Sequence, residues 1–134
     1  MLIYCDSVIL IYYLDSVGPF HVRAVARMTA VGAAGDVAAF SDLTRMECRV
    51  KPIQLGAVKT LADFDAFFTS AGRVRLVPIT TAVFDRATLI RATHNFKLAD
   101  SLHLAAAVEG ACDRFLTNDA GLAAFPDIPV EVLP

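Results

Sequence analysis

The sequence predicts an α/β fold in three layers, with a mainly parallel sheet between two layers of helices. Two observations lead there. Short apolar runs of strand length alternate with helical stretches along the whole chain. Helices of that length between strands make parallel crossovers, which cover both faces of a sheet. Size agrees: 134 residues, 56% of them hydrophobic, suffice for one domain, residues 1–134, with a buried core.

The elements follow in order. Leu2–Cys5 is apolar on both sides of the pleat, as a central strand must be. Ser7–Leu14 is a short apolar helix that ends before Gly18-Pro19. His21–Ala33 is a second helix, with Val22, Val25, Ala26 and Thr29 near one face and Gly32 and Gly35 at its end. Asp36–Phe40 is a strand through Val37-Ala38-Ala39-Phe40. Thr44–Leu55 is a helix in which Pro52 predicts a kink or a break. Val58–Ala71 carries Val58, Leu61, Ala62, Phe64, Phe67 and Phe68 at helical spacing, and Gly72 stops it. Val74–Val77 is a strand. Thr80–Thr93 is a helix capped by Thr80 or Thr81, with Val83, Phe84, Ala87 and Ile90 inward. Ala99–Val108 is an apolar helix closed by Gly110, Arg114–Leu116 a strand, Ala120–Phe125 a helical turn and Val130–Leu133 the last strand.

Composition narrows the class. Twelve basic against 14 acidic residues give a net charge of −2, which is not the balance of a protein that coats nucleic acid. No charge-free run of 18 apolar residues predicts a membrane span, and no basic segment precedes an apolar one at the start, so a cytoplasmic protein is expected. Cys5, Cys48 and Cys112 form no CxxC pair and read as small hydrophobes in a reducing compartment.

Four carboxylates stand out. Asp6 ends the first strand, Asp119 follows Phe115-Leu116, and Glu47 and Asp100 lie near the starts of two helices. In an open α/β sheet these positions share one edge, where ligands bind. Four acids there repel one another unless a cation lies between them, and hard divalent cations such as Mg²⁺ prefer oxygen ligands. A metal so held implies phosphoryl chemistry. Each acid also has a plain structural explanation. Asp6 and Asp119 can cap the turns that follow them. Glu47 completes a capping-box pattern with Thr44, and Asp100 suits a helix dipole.

Four ordered blocks point further: Leu2-Ile3-Tyr4-Cys5-Asp6-Ser7; Phe40-Ser41-Asp42-Leu43-Thr44-Arg45-Met46-Glu47; Phe96-Lys97-Leu98-Ala99-Asp100-Ser101-Leu102-His103 with Leu104-Ala105-Ala106-Ala107; and Phe115-Leu116-Thr117-Asn118-Asp119. Together they resemble the PIN-domain family, specifically its VapC-type toxin ribonucleases of type II toxin–antitoxin systems. The resemblance implies a five-stranded parallel sheet and an endoribonuclease dependent on Mg²⁺, with Mn²⁺ as a substitute. It implies Asp6 and Asp100 as principal metal ligands, Glu47 and Asp119 as completing the acidic pocket, and Ser7 and Thr117 as supporting hydrogen bonds. It further implies an RNA substrate, a cognate VapB-type antitoxin and a homodimer. Departures are mild: Ser7 stands where many relatives have Thr, and Ser101 where Ala is common.

Other residues read as secondary. Lys97 and Lys51 lie one turn from Asp100 and Glu47 and are expected to be solvated. His103, one turn past Asp100, is expected to be a packed helix histidine, and Phe64, Phe67 and Phe68 to serve a core or subunit interface. Tyr12 and Tyr13 are candidates for a partner interface. Rival functions are a catalytically silent binding module and an acid-pocket phosphatase. A phosphatase of the haloacid-dehalogenase kind needs a second Asp where Val8 stands. A phospho-receiver needs paired acids after the first strand, which are missing.

Overall fold

In the computed structural model all of Met1–Pro134 is described except Ala71. Five strands, β1 (Leu2–Cys5), β2 (Val37–Ser41), β3 (Val74–Val77), β4 (Arg114–Thr117) and β5 (Val130–Val132), pair in the order β3-β2-β1-β4-β5. Every pairing is parallel. The helices are α1 (Ser7–Asp15), α2 (Pro19–Ala33), α3 (Asp42–Leu55), α4 (Val58–Phe68), α5 (Thr81–His94) and α6 (Leu98–Glu109), with a 3₁₀ turn at Ala120–Leu122.

Strand alternation sorts the core into two halves. Tyr4, Ala39 and Phe115 face Val83, Ala87, Ile90 and Leu104 on one side of the sheet. Ile3, Cys5, Phe40 and Leu116 face Ile9, Leu10, Phe64 and Phe68 on the other. β1 is central, and Ile3, Tyr4 and Cys5 are fully buried. The β1–β4 register sets Tyr4 beside Phe115, and their rings stack with centroids 5.6 Å apart. On α6 the run Ala105-Ala106-Ala107 is wholly buried, so small side chains let the helix lie close on the sheet. Phe40, Phe67 and Phe68 pack edge to face, a core role for the α4 aromatics.

Some expectations need correction. The inward face of α2 is Ala24, Met28 and Val31, not the predicted stripe; Val22 is exposed. At 3.6 residues per turn the true stripe lies roughly 150° around the helix from the predicted one, and small residues such as Ala26 and Ala30, present on several faces, do not discriminate between them. Phe84 is exposed although Val83, Ala87 and Ile90 are buried, because it points about 100° around the helix from Val83, off the stripe those three share. Val58 and Ala62 are exposed for the same reason. Pro52 does not split α3; it is buried inside one continuous helix. The predicted end of α4 at Ala71 lies outside the described residues. Cys5 and Cys48 are buried and Cys112 half-buried; all are free thiols, and burial pushes the first two up to about 12 and Cys112 up to about 11.

The order of strands reverses at β1: β2 and β3 continue on one side of it, β4 and β5 on the other. Chains leaving β1 and β4 therefore diverge, and the crevice between them is where open α/β sheets bind ligands.

Candidate active site

All four predicted acids line one cleft of about 570 Å³ at this crevice, together with Ser7, Lys97 and Asn118. They arrive from four separate segments: the end of β1, the second turn of α3, the first turn of α6 and the loop after β4.

Asp6 is the most constrained. Its backbone N–H donates to Leu116 O at 2.8 Å, so β1–β4 pairing runs to the cleft's edge. Its Oδ1 accepts from Ser7 N at 2.8 Å as the N-cap of α1, and its Oδ2 accepts from Thr117 Oγ1 at 2.8 Å. Thr117 Oγ1 in turn accepts from Asp119 N at 3.1 Å. Asp119 Oδ1 accepts from Gly121 N at 2.8 Å and caps the 3₁₀ turn. The capping explanations for Asp6 and Asp119 therefore hold, alongside their place in the cleft.

Glu47 caps nothing. The α3 capping box is formed by Ser41 and Thr44, so the helix starts at Asp42, earlier than predicted, and Glu47 lies inside it. Its Oε1 accepts from Ser7 Oγ at 2.8 Å and meets His103 Nε2 at 2.5 Å. Burial pushes this carboxyl up, but the His103 and Ser7 contacts outweigh it and hold Glu47 below the usual range. Asp100 goes the other way. Burial raises it, the charges of Asp6 and Asp119 raise it further, and His103 and Lys97 only partly offset them.

His103 is the residue the sequence undervalued. It is packed, as expected, but as the hub of a polar cluster: Nδ1 lies 2.7 Å from Tyr4 Oη and Nε2 3.1 Å from Ser7 Oγ. The signal available was its i+3 spacing from Asp100 within an otherwise apolar helix. Among the described residues no three His, Cys, Asp or Glu side chains converge tightly enough to hold a metal ion as they stand. The donor chemistry still suits a cation that keeps most of its own water, since Mg²⁺ binds through one or two carboxylates.

The PIN domain family model matches residues 3–128. The chain belongs to the PIN-domain family. None of the curated proteins matches this PIN domain. In fold it is similar to VapBC2 from Rickettsia felis, bound to a DNA fragment from its promoter, with a TM-score of 0.81, 13% identity and 100% of both chains covered. It is also similar to DNA-bound VapBC from Salmonella typhimurium, with a TM-score of 0.77, 20% identity and 100% of both chains covered. VapC20 from Mycobacterium tuberculosis, a sarcin–ricin-loop-cleaving toxin, aligns with a TM-score of 0.72 and 14% identity over 95% of this PIN domain and 98% of that chain. No helix among the described residues is long and apolar enough to cross a membrane.

Proposed function

We propose that this PIN domain is a metal-dependent endoribonuclease of the VapC toxin type. The observation that carries the proposal is the convergence of Asp6, Glu47, Asp100 and Asp119 on one cleft, where burial and then the charges of Asp6 and Asp119 destabilise Asp100 as an anion. Such a site gains from a divalent cation. The fold's likeness to a sarcin–ricin-loop-cleaving toxin supports RNA as the substrate class.

Asp6 and Asp100 are the proposed ligands of Mg²⁺ or Mn²⁺, with Glu47 and Asp119 completing the pocket. A cation held there supplies an activated water and offsets the charge that develops on phosphorus. The chain does the rest. Thr117 and the α1 N-terminus fix Asp6, and Ser7 fixes Glu47, so the oxygens stay in place while the substrate binds. Lys97, exposed at the rim, is placed to meet a phosphate.

The toxin reading brings a partner. VapBC complexes among the similar folds support a VapB-type antitoxin. Its charge chemistry is an arginine in the acid cleft, because a guanidinium meets two carboxylates at once. The apolar anchor is α3, where Met46, Val50 and Ile53 are exposed. Tyr12 and Tyr13 are half-buried instead, against Phe20 and Phe67, and offer less than their sequence suggested. The proposal includes a homodimer, for which exposed Phe84 and Leu98 supply an apolar face and sedimentation velocity the test.

Total RNA digested with purified protein, with and without Mg²⁺, tests the function. New 5′ ends at discrete positions, present only with the cation, are expected. Intact RNA under both conditions refutes the nuclease reading.

A further inference from the structure

His103 has no role in the chemistry proposed above, yet its ring is held by Tyr4, Ser7 and Glu47 together. Its ring is 1% exposed, with no surface of its own in the cleft. From the central strand, on the face that α6 covers, Tyr4 Oη lies 2.7 Å from Nδ1 and donates to Ser41 Oγ at 2.8 Å. Tyr4 sits on the central strand, stacked on Phe115 and edge-on to His103, so this grip is rigid. On the other side Nε2 points at Glu47 Oε1 and Ser7 Oγ.

The proton inventory fixes the direction. An ionised Glu47 only accepts, and Ser7 Oγ spends its single proton on Glu47. The Nε2 nitrogen therefore carries a proton and donates it to Glu47. Both bonds to Glu47 fall on Oε1, and Oε2 has no hydrogen bond among the described residues.

We propose that His103 is a positioning residue for Glu47: clamped by Tyr4, it donates through Nε2 to Oε1, fixes the glutamate's rotamer and leaves Oε2 without a protein partner among the described residues, in the cleft that Glu47 lines. A long, flexible glutamate on a helix surface would otherwise sample several rotamers. The inference rests on the nuclease reading for its catalytic meaning, but not for the coupling itself.

The test uses His103→Leu, His103→Gln, Glu47→Ala and the His103→Leu/Glu47→Ala double variant. A lost hydrogen bond to a buried charge corresponds to a loss of about tenfold or more, so His103→Leu is expected to lower kcat by that factor with KM little changed. Gln, whose amide nitrogen replaces Nε2, restores most of it. On the Glu47→Ala background His103→Leu causes no further loss, because its effect runs through Glu47. Losses that multiply in the double variant, or a folded Gln variant as impaired as Leu, overturn the proposal. Should His103→Leu fail to fold, Tyr4→Phe reads the same clamp and is expected to lower kcat in the same sense; no change in kcat overturns it. The carboxyl ¹³C resonance of Glu47 supplies a readout independent of cleavage: its midpoint rises when the clamp is broken. An unmoved midpoint refutes the coupling. A moved midpoint in a protein that cleaves no RNA refutes the nuclease reading alone.

Discussion

Thr117 Oγ1 donates to Asp6 Oδ2 at 2.8 Å, a buried bond between residues 111 positions apart that ties the end of β4 to the end of β1 across the cleft. It makes the first acid of the site a product of sheet register. The Cys5–Leu116 pairing places Thr117 one residue beyond β1, level with Asp6.

Thr117→Val removes that donor and keeps the shape. A hydrogen bond to a charged group contributes about 1.5–3 kcal/mol, so the variant is expected to lose about tenfold in cleavage and to melt lower. Equal rates and equal melting temperatures would show that Asp6 needs no such support.

The paired shifts of Asp100 and Glu47 predict a pH signature. The raised Asp100 contributes stability that is full below its unfolded pKa and is lost as pH rises through its folded value. The lowered Glu47 contributes stability that is present above its unfolded pKa and is lost as pH falls through its folded value. Without divalent cations, Asp100→Asn is expected to raise the melting temperature at pH 7, and Glu47→Gln to lower it. The check is thermal melts from pH 3 to 8. A less stable Asp100→Asn protein at pH 7 would contradict the charge account.

Gly110 tests the packing at the far end of the helix that carries Asp100. A Cβ there would meet Val77 Cγ1 at 2.6 Å and Ala106 O at 2.9 Å. Gly110→Ala is expected to destabilise by about 1–3 kcal/mol through overpacking where α6 abuts β3, measured by denaturant titration. A neutral result would mean that α6 shifts freely on the sheet.

Glu131 separates structure from chemistry. On β5 it accepts from Arg27 Nε at 2.7 Å and Arg114 Nη1 at 3.2 Å, and the Arg27 hydrogen bond holds it below the usual carboxylate range. Glu131→Gln is expected to cost about 1 kcal/mol, since the network is partly solvated, and to leave cleavage intact because it lies away from the cleft. A loss of cleavage without a loss of stability would contradict that separation.

Much of this was legible in the residues. Short apolar runs between helical stretches place five strands near their true bounds, and the strand ends alone place Asp6 and Asp119. Helix faces were harder. On α2 the small residues Ala24, Ala26 and Ala30 carry too little contrast to set the rotation, and tertiary packing decided it. Glu47 is singled out by its place near a helix start; the capping-box pattern that offered its plain explanation fails, because Ser41, not Thr44, caps α3. The contacts of His103 were invisible, since Tyr4, Ser7 and Glu47 meet it only after the sheet assembles.

The central claim is that Asp6 and Asp100 serve a cation-dependent cleavage of RNA. The most direct measurement is the rate of RNA cleavage by wild type, Asp6→Asn and Asp100→Asn with Mg²⁺, alongside the melting temperature of each. The account predicts cleavage by wild type only, with both variants folded and slowed by about a hundredfold or more, as expected for loss of a group that stabilises the transition state. Folded variants that cleave at the wild-type rate would contradict it.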